Sequence, residues 1–495
     1  MIAVLAVHLY KLTNTLPNHD SLYNYYSDQN VLGSGRWALS AACGISSYYD
    51  LPWVNGLFCC LFIALTVVVI VALFQVKNYV VIGLIGTLLA VSPATTETFF
   101  FMFTADGYML AMLLAAIAAY LSRIEERRLS RWIISGICIC VSCGIYQAYV
   151  SFGLILAVCY LVLGLLDNRY DKKECWLWVL RQVVIYAAAL VVYYIIWKLC
   201  MHITGTNANS YQGISGVGTI SIGLIINGAI SAVKSVVSYL LQWDVFTYGF
   251  TTYNVLNIIL LTVFAFGVII SFAKSGIYKR KWAVVLLVLC LVAIVPFACI
   301  WHFTSDSVVY APRMFQSLTL VYVFTALLYE KWAKHVLKNI VCLLLIVITL
   351  NHGLIANICY FYLNLSYERA YAEGVEMAMT IHDYQDEHDI NRIAIVGNRL
   401  DDVQLSNFNE IMEADRITDE VYIIGSGLEE SLMIDSTHIT NFLKTTCGIK
   451  LDVVGSTESS ALFRSEQVQK MGCWPASDSI AVIDDTLVIK ISNHE

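Results

Sequence analysis

The chain has 495 residues, 58% of them hydrophobic and only 14% charged, with a mean hydropathy of +0.68. No water-soluble core needs that much apolar surface, so the composition excludes an ordinary soluble protein and points to a polytopic membrane protein. Charge divides it: residues 1–362 hold 21 Lys/Arg against 13 Asp/Glu, a net of +8, whereas residues 363–495 hold 9 against 24, a net of −15.

The first apolar stretch, Met1–Tyr10, is too short to span a bilayer and lacks both a basic leader and a small-residue cleavage site. It reads as the outer end of a short first helix. Runs of roughly 20 mostly apolar residues, the length of a span, follow at Trp53–Gln75, Tyr79–Thr96 and Asp106–Ser122. The uncharged run Trp132–Leu166 would be about 52 Å long as one helix. It is better divided in two, with a turn near Gly144-Ile145-Tyr146-Gln147. Further runs lie at Gln182–His202, Thr252–Ala273, Trp282–His302, Arg313–Glu330 and Asn339–Tyr362. These make eleven spans.

The basic residues orient them. Sixteen of the 21 fall in five segments: Lys77; Arg123, Arg127, Arg128 and Arg131; Arg169, Lys172, Lys173 and Arg181; Lys274, Lys279, Arg280 and Lys281; and Lys331, Lys334 and Lys338. With a cytoplasmic N-terminus and Trp132–Leu166 split, all five face the cytoplasm. The outer side then receives Leu12–Leu51, Glu97–Ala105, Ile203–Thr251, Phe303–Pro312 and the acidic C-terminal region. Within Ile203–Thr251, the apolar stretch Thr219–Trp243 carries Lys234 near its middle and reads as an interfacial helix. Gly205–Gly218 before it has a loop composition.

Residues 363–495 predict a small extracytoplasmic α+β domain. A helical pattern over Tyr367–His388 leads to strand-like runs at Arg392–Gly397, Glu420–Ile424, Ile480–Ile483 and Leu487–Ile491, the last two forming a hairpin about Asp484-Asp485. Thirteen of the 15 cysteines lie before residue 363 and read as small buried hydrophobes. Cys447 and Cys473 are the remaining two, and a disulfide between them is open.

Carboxylates collect on the outer side: Asp20, Asp28, Asp50, Glu97, Asp106, Asp244 and Asp306. Arg36 and Arg313 join them where bases are otherwise scarce. An ionisable side chain beside a bilayer is expensive and marks a functional site by default. Arg clamps a lipid phosphate bidentately, and Asp accepts the proton of an attacking hydroxyl. Asp20, in Asn18-His19-Asp20-Ser21, stands out by following the first helix. Asp28, eight residues on, shares its helix face if Ser21–Asn30 is helical; a solvated loop is the bland alternative. Asp106, in Phe103-Thr104-Ala105-Asp106-Gly107-Tyr108, is either a site residue or a helix-entry acid. Arg313 and Arg36 read equally as interfacial anchors. Glu97, after Pro93, reads as a turn acid. Tyr146 and Gln147 sit mid-membrane, where they bond across the bundle or line a substrate groove.

His19 and His302 lack a paired His/Cys spacing, so no metal site and no cofactor are expected. There is no Walker A motif, Rossmann fingerprint or G-x-S-x-G, which removes support for ATP-driven transport and serine-hydrolase chemistry. The acidic outer domain gives no support to a nucleic-acid partner.

The strings Asn18-His19-Asp20-Ser21-Leu22-Tyr23, Ser34-Gly35-Arg36-Trp37 and Leu51-Pro52-Trp53-Val54-Asn55-Gly56 resemble the bacterial glucosyltransferase family of Gtr type II. So do Phe103–Tyr108 and Gly144-Ile145-Tyr146-Gln147-Ala148-Tyr149, an ordered series covering most of residues 15–360. The resemblance implies a multi-pass transferase of GT-C type in the bacterial plasma membrane. Such an enzyme moves a sugar from a polyprenyl-phosphate carrier to a glycan outside the membrane. It implies that Asp20, in the first outer loop, stands where such enzymes keep their catalytic acid residue, and position and chemistry together add Asp106, Arg36 and Arg313. Read from the residues, Asp20 is the general base of an inverting displacement, with Asp28, Tyr146 and Gln147 as further substrate-binding candidates. Two other classes fit a polytopic chain. A flippase of lipid-linked sugars predicts repeats and midplane charges, and neither a clear repeat nor such a charge set is present. A non-catalytic envelope-assembly protein would work through its outer domain.

Overall fold

The computed structural model describes residues 1–26, 29–46, 49–209, 213, 221–242, 252–388, 390–399, 426–429, 432–450 and 452–495. The chain is mostly helical and divides into two compact units. One holds Met1–Asn14 and Asn30–Asn357. The other holds Thr15–Gln29 and the described residues from Ile358 onward.

Among the described residues of the chain, eight helices are long and apolar enough to cross a membrane, or nine if one bent pair counts as a span. Ile2–Thr13 and Leu129–Ile145 are shorter apolar helices. The bent pair, Tyr79–Val91 and Pro93–Phe100, turns by 40° at Ser92-Pro93. Proline has no N–H to give to the preceding turn, so the first helix stops, and Ser92 Oγ caps the second by accepting from Thr95 N–H. The run Trp132–Leu166 is indeed broken: Leu129–Ile145 ends where Tyr146 turns extended, and Tyr149–Leu166 begins three residues later.

Met102–Leu121 is the pillar of the first unit, almost wholly buried against Pro52–Phe74, Leu129–Ile145 and Tyr149–Leu166. Its alanines and Gly107 let backbones approach closely. A Cβ on Gly107 would lie 2.6 Å from Cys43 Sγ. Ser142 Oγ and Ser135 Oγ donate to the pillar's Ala111 and Ala118 carbonyls at 2.8 and 2.9 Å.

Ile222–Leu241, expected to lie in the interface, is a 20-residue helix that meets the same span test. Leu224, Gly228, Ala232 and Val236 face the bundle, and Ile222, Ile226, Ile230, Val233 and Val237 are exposed. Both faces are therefore largely apolar, unlike the polar outer face of an interfacial helix. The preceding loop residues 214–218 lie outside the described residues.

The second unit contains a four-stranded sheet in the order Asp452–Val453, Arg392–Val396, Thr486–Lys490, Ile480–Ile483. The first two pairings are parallel and the last is an antiparallel hairpin through Asp484-Asp485. The strand expected at Glu420–Ile424 lies outside the described residues. The helix predicted at Tyr367–His388 is the end of one long helix, His335–His388. Leu22, Met377, Ile381, Ile393, Ile439, Phe442 and Leu487 share this unit's apolar core. Cys447 and Cys473 are both free thiols.

Candidate functional site

In the first unit the site is built around Arg36. Residues Val31–Arg36 form a tight turn in which Arg36 N–H donates to Val31 O and Gly35 N–H to Leu32 O, both at 3.0 Å. Gly35 has φ +81°, a left-handed conformation that an L side chain resists, and a Cβ there would lie 2.4 Å from Tyr193 Oη. Three bundle side chains hold the turn's carbonyls. Gln147 Nε2 donates to Ser34 O at 2.7 Å, Tyr193 Oη to Gly35 O at 3.0 Å, and Trp197 Nε1 to Leu32 O at 2.8 Å.

That grip sets the direction of Arg36. Its guanidinium carbon lies 5.0 Å from the Tyr146 ring centre, and its Nη1 is 3.5 Å from Tyr108 Oη. Tyr146 and Tyr108 stack with centres 4.2 Å apart and planes 7° from parallel. A half-buried arginine over an aromatic pair keeps its charge while losing side-chain freedom, which preorganises it for an anion. The expected pair Tyr146 and Gln147 thus meets Arg36: Tyr146 supports its charge and Gln147 fixes its loop.

Asp106 lies on the pillar two residues before Tyr108. It is 1% exposed, and its Oδ2 accepts from Ser46 Oγ. It faces the Leu39–Cys43 helix and the turn after it. Asp106 is therefore enclosed by protein and braces the chain leading from Arg36.

Arg313 is not a snorkelling anchor. It lies on the 3-10 turn Pro312–Leu318 with its side chain 13% exposed, and its Nη1 is 2.7 Å from Glu97 Oε1. Its backbone N–H donates to Glu97 Oε2, and its guanidinium lies 4.4 Å from the Phe101 ring centre. Glu97 sits on the helix Pro93–Phe100 rather than in a turn, with its side chain 1% exposed. Sequence reasoning set Glu97 aside. The available signal was a carboxylate in an apolar run, which costs too much to bury without a cation.

In the second unit, Asp20 stands in the first turn of the one-turn helix His19–Tyr23. Asn18 caps it through a capping box: Asn18 Oδ1 accepts from Ser21 N–H at 2.9 Å, and Ser21 Oγ accepts from Asn18 N–H at 3.4 Å. The Asp20 side chain is 36% exposed, with its Oδ1 3.5 Å from His19 Nε2. The helix ends at Tyr23, so Ser21–Asn30 is not one helix. Asp28 lies outside the described residues. His302, in the first unit, bonds Ser235 Oγ at 3.0 Å. Among the described residues, no group of three or more His, Cys, Asp or Glu is placed to hold a metal ion.

A bundle of membrane-length apolar helices that holds an arginine on stacked tyrosines beside other polar groups is the frame of a multi-pass membrane enzyme. Comparison with protein-family models gives its chemistry, since the model of Glucosyl transferase GtrII matches residues 9–330. The chain belongs to this family and is a glycosyltransferase. No curated protein and no solved structure matches it.

Proposed function

We propose that the protein transfers a glucosyl residue from a polyprenyl-phosphate carrier to a surface glycan on the outer face of the bacterial plasma membrane. The observation that carries this reading is Arg36, held over Tyr146 and Tyr108 within the family-matched region. A lipid phosphate suits that guanidinium, and the bundle keeps both in the bilayer. The basic residues up to Arg181 assign the N-terminus to the cytoplasm and the segment bearing Asp20 to the outside.

The chemistry is a single displacement. The acceptor hydroxyl oxygen bonds to the anomeric carbon as the bond from that carbon to the phosphate oxygen breaks, so the configuration inverts. The acceptor's proton passes to Asp20, and the electron pair leaves with the polyprenyl phosphate. Arg36 stabilises the charge gathering on the departing phosphate. Arg313 contributes to the same positive potential, moderated by Glu97. Asp28 and Gln147 are assigned to substrate, Gln147 through the Arg36 turn, and Asp106 supports the site from behind.

Asp20→Asn in membranes, assayed with radiolabelled polyprenyl-phosphate-glucose, is expected to lose about 10²–10⁴-fold in transfer rate, the range for a general base. Full activity in a normally accumulating Asp20→Asn variant would overturn the assignment.

A further inference from the structure

The family match ends at residue 330, yet the segment bearing Asp20 packs on chain far beyond it. We propose that the helix Ser436–Thr446 is the positioning element for Asp20, with His438 as its central residue. This rests on the reading of Asp20 as the base.

Three attachments bind the segment to that helix. Leu22 enters the core beside Ile439, Phe442 and Leu443. The Tyr23 ring stacks on His438 with centres 5.7 Å apart, and the His19 ring lies 5.9 Å from His438 on the same side chain's flank. Tyr26 Oη and Thr445 Oγ1 are hydrogen-bonded at 2.6 Å. They surround a helix of five residues, which has too few internal bonds to hold its own shape.

His438 is itself fixed. Its Nδ1 and its backbone N–H both lie 2.9 Å from Asp435 Oδ1, and Asp435 is the N-cap of the same helix. The carboxylate keeps a proton on Nδ1 and sets the ring plane. Tyr23 stacks on that ring, the His19 ring lies tilted at 57° beside it, and His19 Nε2 in turn lies 3.5 Å from the Asp20 carboxylate. His438 acts on Asp20 only through His19 and Tyr23.

The test uses the full chain in membranes with labelled polyprenyl-phosphate-glucose. His438→Ala is expected to lower kcat by roughly ten- to a hundredfold, the scale of a catalytic group displaced by about 1 Å, with donor KM within about twofold. His438→Gln retains an amide donor for Asp435 and is expected to recover part of kcat. Tyr26→Phe removes one hydroxyl, leaves the core intact, and is expected to lower kcat less but again without moving KM. Wild-type kcat in Tyr26→Phe and His438→Ala, with Asp20→Asn inactive, would overturn the positioning role while sparing the base. So would a rise in KM at unchanged kcat. If His438→Ala fails to accumulate, wild-type kcat in Tyr26→Phe alone overturns it. Full activity of Asp20→Asn would remove the underlying reading and this one together.

Discussion

At the scale of single residues, Glu97 and Arg313 pose a sharp energetic question. They are 216 positions apart, nearly excluded from solvent, and bonded at 2.7 Å. Removing one member of such a pair leaves a buried charge without compensation, at about 3–5 kcal/mol. Glu97→Gln is therefore expected to lower stability by about that amount in thermal unfolding in detergent. Glu97→Gln combined with Arg313→Gln is expected to recover much of the loss, because neither charge is then stranded. A single variant as stable as the parent would contradict the buried pair. In the sequence Glu97 reads as a turn acid, because its visible neighbour is Pro93. Its real partner lies on another element, and no local pattern announces that. Bonds across the bundle at Tyr146 and Gln147 are legible for the opposite reason: polar side chains in apolar surroundings must have partners, wherever those lie. Which partners they find, Tyr108 and Tyr193 among them, was not legible.

At the scale of elements, breaks were easier to read than packing. The interruption at Tyr146–Ala148 follows from a run too long for one span between basic clusters, whereas the bend at Pro93 breaks the expected run Tyr79–Thr96 through proline's missing donor. Ile222–Leu241 was harder, because one lysine near its middle suggested an interface while its exposed side chains are mostly apolar. The helix Ser436–Thr446 has no clear hydropathy signal in the sequence. Its polar start, Ser436-Thr437-His438, makes sense once Asp435 caps it. Burial alone would raise the Asp435 carboxyl's pKa. The hydrogen bonds and charge of His438 outweigh burial and hold it below the ordinary carboxylate range. A carboxylate depressed in the folded state adds stability that is complete above its unfolded pKa and is lost as pH falls through the folded one. Hydrogen-exchange protection of the Ser436–Thr446 amides is therefore expected to drop below about pH 4. Asp435→Asn keeps a capping side chain but lacks the charge, so its protection should change less over the same range. An equally steep acid loss in that variant would assign the effect elsewhere.

At the scale of the whole molecule, charge and hydropathy separate a basic, apolar body from an acidic C-terminal region with a small sheet. That division was readable because each environment selects composition over hundreds of residues. The assignment of Thr15–Gln29 to the second unit was not. Tyr23 meets His438 only after more than 400 intervening residues, Leu22 joins a core drawn from Ala370 onward, and hydropathy carries no record of such pairings. The family match supplies glycosyl transfer, and the arginine over stacked tyrosines argues for a phosphate-bearing lipid donor. The most direct test offers two labelled donors, polyprenyl-phosphate-glucose and a nucleotide-glucose, to the purified full chain in proteoliposomes. Glycan from a strain lacking the gene serves as acceptor. The account predicts that label reaches the glycan from the polyprenyl-phosphate donor alone, in the inverted configuration, and that Arg36→Ala raises the KM for that donor. Transfer from the nucleotide sugar in the absence of any polyprenyl phosphate would contradict it.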